Sequence, residues 1–325
     1  MQEVLLLAAE QGVVVCERDG ESWRETRRGL EGRHITSIIA REGVILAGSR
    51  AGVFRSDDLG ASWEHASAGI SIPYVRWLAY HPDISDLEFA GTEPAGIFVS
   101  EDGAQSWRLC EEVTQLRDQH RWFLPYSAEA GCVRGFAFHG ARGYAAVVVC
   151  GLLVSDDSGG GWQLAAGSHG EPGFRARPGF IHPDVHSIEV HPSSADLVLA
   201  PTGGGFYRSE DGGNTWKNVY PDCYCRAVWP DPADREHMVL GPADSVDVNG
   251  RIEETCDGGR TWTSASSGLD LPWQRHMVER FASIGEQLFA VLSNGEVWSA
   301  PLASLEWQKV LPHVRGVNAL TGMSV

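Results

Sequence analysis

SEDGGNTW (209–216) is the stretch that decides how this chain folds, because it does not occur once. SDDLGASW (56–63), SEDGAQSW (100–107), SDDSGGGW (155–162) and TCDGGRTW (255–262) share its pattern, S/T-x-D-x-G-x-x-W, with one alanine at the glycine position. A shortened copy, ERDGESW, ends at Trp23, and a copy reduced to its tryptophan ends at Trp307. Successive tryptophans lie about 40 to 55 residues apart, the period of a repeated four-stranded unit. The chemistry of the motif is local. Its aspartate is placed to accept hydrogen bonds from backbone N–H groups of its own turn, and its glycines supply positive φ. Its tryptophan is a large apolar anchor between units. The motif therefore reads as folding chemistry, not as a site.

Outward from the motif the repeat continues. An apolar strand precedes each copy by two elements: VRWLAYHP (75–82), VRGFAFHG (133–140), VHSIEVHP (185–192), CRAVWPDP (225–232) and VERFASIG (278–285), with ITSIIARE (35–42) opening one more unit. A second strand such as DLEFAGT (86–92) or LVLAPT (197–202) follows, then a glycine-rich turn, a third strand into the box, and a fourth from the tryptophan. Six units are complete in this way. The seventh is assembled from VRGVNAL (314–320) at one end and VLLLAAE (4–10), GVVVCER (12–18) and WRETRRG (23–29) at the other. The expected fold is all-β: one seven-bladed β-propeller over 1–325 with four-stranded blades, its ring closed by a composite blade that leaves no free edge.

The pattern resembles the Asp-box (BNR-repeat) propeller superfamily, whose members include sialidases, xyloglucan-cleaving glycosidases, the sortilin ectodomain and a photosystem II assembly factor. The resemblance spans nearly the whole chain, and GTEPAG (91–96) adds a likeness to sialidase-like bacterial proteins. It implies the fold; the superfamily holds enzymes and binding scaffolds alike. A sialidase carries an arginine triad, a Tyr–Glu pair and an acid/base Asp, usually on six blades with an F/Y-R-I-P element. This chain has the arginines and a Tyr/Glu option, but no such element.

Composition narrows the partners. A formal charge of −17 argues against nucleic acid as a general partner, since phosphate binding needs a basic excess. No apolar run approaches the ~18 residues of a membrane helix, and MQEVLLLAAEQG reads as a strand, not a signal peptide. Seven scattered cysteines without paired CxxC motifs are expected to be reduced thiols of a cytoplasmic protein. No glycine-rich phosphate motif points to an organic cofactor.

Function is expected where the inner strands begin. Aligned on their first apolar residue, the seven inner strands place Thr36, Arg76, Arg134, His186, Arg226, Glu279 and Arg315 in one equivalent slot. Four arginines in seven slots is unexpected in a chain with 26 basic residues. Converging guanidiniums bind carboxylate or phosphate through paired hydrogen bonds, strengthened by the walls of a channel. The competing reading pairs these arginines with Glu279, Glu93 and Asp244 in a network that plugs the channel. Tyr74, two residues before Arg76, is expected at the same mouth, as are His34, His276 and His313. Histidines with Glu279 form a donor set of the kind that holds a divalent metal, but no ligand spacing is fixed and none is assigned. His81, His139 and His191 end inner strands and read as turn residues.

Two insertions, 108–131 and 164–184, are expected to overhang the mouth as lid loops. They carry His120, Arg121, Trp122, Tyr126, Arg175, Arg177 and His182, a mix suited to an anionic, partly apolar ligand. The resulting expectation is an anion-binding pocket acting as a hydrolase or lyase on a carboxylated small molecule or acidic sugar. Arg76, Arg134, Arg226, Arg315, His34, Asp244, His276, Trp122 and Arg177 would bind the substrate, while Tyr74, Glu93, His186 and Glu279 would move protons. The alternative is a non-catalytic binding or assembly propeller that recognises an anionic peptide or protein partner.

Overall fold

The structure, a computed structural model, describes residues 3–20, 22–125, 127 and 130–324. Seven antiparallel sheets of four strands follow one another around a ring. Blade one opens with inner strand Ile35–Arg41, blade two with Val75–Tyr80, blade three with Cys132–His139 and blade four with Glu189–Val190. Blades five and six open with Tyr224–Pro230 and Val278–Ile284. The seventh blade is composite: Val317–Ser324 pairs antiparallel with Glu3–Ala9, which carries Gly12–Asp19 and Ser22–Gly29 outside it. Its inner strand begins three residues later than the repeat suggests.

The box motif behaves as its chemistry dictates. In the first copy Asp58 accepts from the Ser62 backbone N–H at 2.8 Å and from the Ser62 hydroxyl at 2.7 Å, while Ser56 Oγ accepts from Gly60 N–H at 2.8 Å. The same contacts recur at Ser100/Asp102/Ser106 and Ser209/Asp211/Thr215. The tryptophans stitch blades together: Trp107 Nε1 donates to Ala66 O of the preceding blade at 2.9 Å, and Trp307 Nε1 donates to Ala265 O at 2.9 Å. His81 and His191 bond across blades too, to the Gly140 and Asp231 carbonyls at 3.1 and 2.9 Å.

One device is common to every blade. Pairing between the inner strand and its neighbour slips by one residue near the start, as when Val75 faces Thr92 but Trp77 faces Gly91. Equivalent slips occur at Ile35/Ser37, Val133/Gly135, Cys225/Val228, Val278/Arg280 and Val317/Ala319, and between the Val185 bridge and Glu189. A bulge of this kind leaves one residue out of the ladder and re-aims its side chain. The chain across from the bulge runs tight against the next blade. A Cβ on Gly91 would sit 2.7 Å from the Val133 carbonyl, and one on Gly241 would sit 2.5 Å from Val278 Cβ, so only glycine fits at either position.

One insertion carries regular structure. Residues Glu111–His120 form a helix, with Glu111 and Glu112 in its first turn and Arg117 and His120 in its last, the order that suits the helix dipole. Only Val113 of the helix is buried, so the apolar periodicity that normally announces a helix is too thin to read.

Candidate functional site

The bulged residues of the seven inner strands form one ring, and they divide by length into two classes. Short or neutral side chains staple neighbouring blades. Thr36 Oγ1 donates to Val75 O at 2.6 Å, Asn318 Nδ2 to Ile35 O at 2.8 Å and His186 Nδ1 to Cys225 O at 2.8 Å. Each of these acceptors is the first or second inner-strand residue of the next blade. The charged members, Arg76, Arg134, Arg226 and Glu279, turn inward. Arg134 reaches across from blade three to Glu279 of blade six at 2.5 Å, and Arg226 of blade five bonds the other oxygen of the same carboxylate. Arg76 bonds Glu93 at 2.6 Å and donates to the Tyr74 hydroxyl at 2.9 Å.

These groups do not fill the space. A cavity of about 190 Å³ is lined by His34, Tyr74, Arg76, Trp77, Arg134, Glu279, Arg280 and Asn318, with Thr36, Leu292, Ser293 and Val317 completing its wall. Arg280 lays its guanidinium over Trp77 of blade two, 3.9 Å from the ring centre, and donates to Arg134 O at 3.0 Å. Cation–π contact and a carbonyl acceptor hold this charge in place without neutralising it. The charged lining therefore comprises three arginines and one carboxylate, which is already shared with Arg226.

The electrostatics follow from burial and neighbours. Burial works to raise the Glu279 carboxyl, but the guanidiniums of Arg134, Arg226 and Arg280 overturn it and leave it at about 2. Burial lowers Arg280 to about 9, with Arg134 adding repulsion, so it stays charged at neutral pH. On the inner strand of blade four, burial lifts Glu189 to about 7 against the pull of Arg280. Burial also lowers the His34 imidazole, aided by Arg50 and Arg76; its Nε2 lies 3.4 Å from Asn318 Nδ2. The cavity thus offers a neutral imidazole and a phenol beside an arginine cluster.

Several sequence expectations are corrected by position. Arg315 is exposed and lies before the last inner strand; Asn318 holds its slot. His186 is 2% exposed and sits outside the cavity, with Nε2 3.2 Å from Asp184 and 3.0 Å from the Tyr224 hydroxyl. Asp244 pairs with Arg251 and Asn249 of its own blade at 2.9 Å, not with the channel arginines. His276 stacks on Trp273 with ring centres 5.4 Å apart, and His313 meets Glu25 at 3.1 Å. Trp122 is core: it packs with Val113, Cys110 and Val133, and its Nε1 donates to Gly170 O at 2.8 Å, tying one insertion to the other. Arg177 is exposed above Phe174. No described residue of 108–131 or 164–184 is among the residues that line the cavity; Tyr126 lies outside the described residues. Tyr74, Arg76, Arg134, Glu279 and His34 do come together, with Glu93 and Arg226 immediately behind.

Arg280 and Trp77 were not foreseen. Strand alternation sends the residue after a channel-facing one into the sheet, yet the bulge lets Glu279 and Arg280 face the same void. A lone arginine next to the slot was the available signal.

By fold and site the molecule is a seven-bladed propeller whose channel mouth carries an arginine-rich cavity. Among solved structures it is similar to an ancestral GH74 enzyme, at 17% identity and a TM-score of 0.64, covering 94% of this chain but 40% of that one. It is also similar to YCF48 from Cyanidioschyzon merolae (15% identity, TM-score 0.62, 95% and 91% covered) and to YCF48 bound to D1 peptide (13%, 0.59, 88% and 84%). These likenesses establish the propeller fold. No family model matches the chain, and no curated protein does.

Proposed function

We propose that this propeller binds a small carboxylated or otherwise anionic molecule in the channel-mouth cavity and acts on it as a hydrolase or lyase. The observation that carries this reading is the imbalance of charge around open space: Arg76, Arg134 and Arg280 in the lining and Arg226 behind it, against Glu279 and the Glu93 that pairs with Arg76. In a chain of net charge −17 such a concentration of guanidiniums attracts an anion into a low-dielectric recess. The volume, about 190 Å³, suits a ligand smaller than those of typical drug-sized pockets. Arg76 and Arg134 would hold the anion and offset negative charge that develops in the reaction.

Proton transfer falls to His34 and Tyr74. Burial lowers the His34 imidazole, so it is available as a base at neutral pH. The Tyr74 oxygen accepts from Arg76, which leaves its O–H to donate toward the ligand. Glu279 and Glu93 act as holders of arginines, since each is bonded to one or two of them. A glycosidase of the two-carboxylate kind is disfavoured for that reason.

The same observation favours a second reading, non-catalytic recognition of an anionic terminus, because no carboxylate in the lining is left unoccupied by arginine. The similarity to a propeller solved with a bound peptide accords with it. One experiment separates the two: a thermal-shift screen with small carboxylates, sugar acids, phosphate and a carboxyl-terminated peptide, each hit then followed by NMR for turnover. Conversion by the wild type and not by His34→Gln supports the enzyme. Saturable binding without conversion supports the second reading. If no anion stabilises the protein, both fail.

A further inference from the structure

Blade five carries a second cluster of chemistry, which shares no residue with the channel mouth. Its second and third strands, Met238–Ala243 and Glu253–Thr255, pair with Met238 opposite Thr255 and Val239 opposite Glu254. His237 precedes Met238 and Cys256 follows Thr255, so both stand at the end of this ladder. Alternation puts Glu254 and Cys256 on one face of the sheet. One ligating atom from each of His237, Glu254 and Cys256 lies within 4.8 Å of the other two, and His237 Nε2 stands 3.5 Å from Glu254 Oε2. That is the spacing of neighbouring ligands around one small cation.

The imidazole is fixed from behind. His237 Nδ1 meets Asp231 Oδ2 at 2.9 Å, and Asp231 is itself held: its N–H donates to His237 O, and its Oδ1 accepts from Ala233 N–H at 2.9 Å. Trp229 packs edge-on against the ring at 6.0 Å. A carboxylate on one ring nitrogen sets the tautomer and aims the other nitrogen outward, the usual support behind a metal-ligating histidine. With Nδ1–H given to Asp231, the Nε2 lone pair points at the Glu254 carboxylate, and a cation between them satisfies both.

Cys256 is the one exposed cysteine of the seven.

The geometry points to a binding site for a borderline divalent cation of the Zn²⁺ type, ligated by His237 Nε2, Glu254 and Cys256 Sγ, with water in the fourth position. One nitrogen, one sulfur and one oxygen donor select Zn²⁺ over Mg²⁺ or Ca²⁺, which take all-oxygen sets. The ion would strap the second strand of blade five to the third at the TCDGGRTW turn.

Cobalt is the test ion, because thiolate ligation gives it a near-ultraviolet charge-transfer band. The full chain, stripped with EDTA, is titrated with Co²⁺ and then Zn²⁺. The expected result is a band saturating at one equivalent and bleached by Zn²⁺. Cys256→Ser should lose the band, His237→Gln should weaken Co²⁺ affinity, and Asp231→Asn should weaken it about ten-fold or more. Each variant's fold is checked by circular dichroism. The proposal is overturned if no band forms at one equivalent, or if Cys256→Ser retains it, which would assign binding to another thiol.

Discussion

Replacing Glu279 with glutamine should expose what the channel mouth does with its positive charge. In the native protein this carboxylate bridges Arg134 and Arg226 and faces Arg280. Its depression from 4.5 to about 2 spans roughly 2.5 pH units, which at about 1.4 kcal/mol each amounts to about 3 kcal/mol. Uncovering buried partners of a removed charge costs about 3–5 kcal/mol, so the two estimates meet at the lower end. At about 2 °C per kcal/mol for a chain of this size, Glu279→Gln should melt roughly 6–10 °C below wild type. The informative arm is the rescue. Formate or sulfate added to the variant should restore more of the melting temperature than the same anion adds to the wild type, because a diffusible charge takes the place of the fixed one. Differential scanning fluorimetry at pH 7.5 in chloride, with and without each anion, measures both. Wild-type melting in the variant, or a loss that no anion repairs, would refute a shared cavity of converging guanidiniums.

Four other outcomes are expected of the same molecule. Because the folded Glu279 carboxyl lies below its unfolded value, its contribution is complete above about pH 4.5 and is lost as pH falls toward 2. Wild type should therefore lose about 3 kcal/mol more than Glu279→Gln across that range in denaturant titrations. Glu189 has the opposite sign: raised to about 7, it contributes stability below about 4.5 that disappears as pH rises through 7. Glu189→Gln should leave stability in denaturant titrations unchanged at pH 4 and raise it at pH 8, by up to about 3 kcal/mol. Trp122→Ala should cost about 3–5 kcal/mol, and hydrogen exchange should accelerate in residues 164–184 once the bond to Gly170 is gone. Gly91→Ala, which drives a methyl to 2.7 Å from the Val133 carbonyl, should cost about 1–3 kcal/mol by urea denaturation.

The fold was legible because its signal is local and repeated: the Asp–Gly turns make their hydrogen bonds within a few residues, and tryptophans such as Trp107 reach only to the adjacent blade. The site was legible in part. Six of the seven slot residues are the ones alignment selects. The seventh fails for a specific reason, since Val314-Arg315-Gly316 copies Val133-Arg134-Gly135 letter for letter. Gly316 adopts φ 63°, the chain turns there, and the strand starts one residue later. Arg280 was hidden by the bulge, which breaks the alternation that sequence reading assumes. The partnering of Arg134 with Glu279 joins residues 145 apart across the ring, and no spacing rule reports a contact of that range.

The bulge also separates two kinds of selection. A residue excluded from ladder pairing contributes little to holding its strand in register, so its identity is set by the lumen instead of by the sheet. Threonine, histidine, asparagine, arginine and glutamate already occupy equivalent places around this one ring. The scaffold thereby resembles a socket with two kinds of insert: Thr36, His186 and Asn318 are tied to the neighbouring blade, while the charged inserts face the lumen, where ligand preference can drift with little change in strand register.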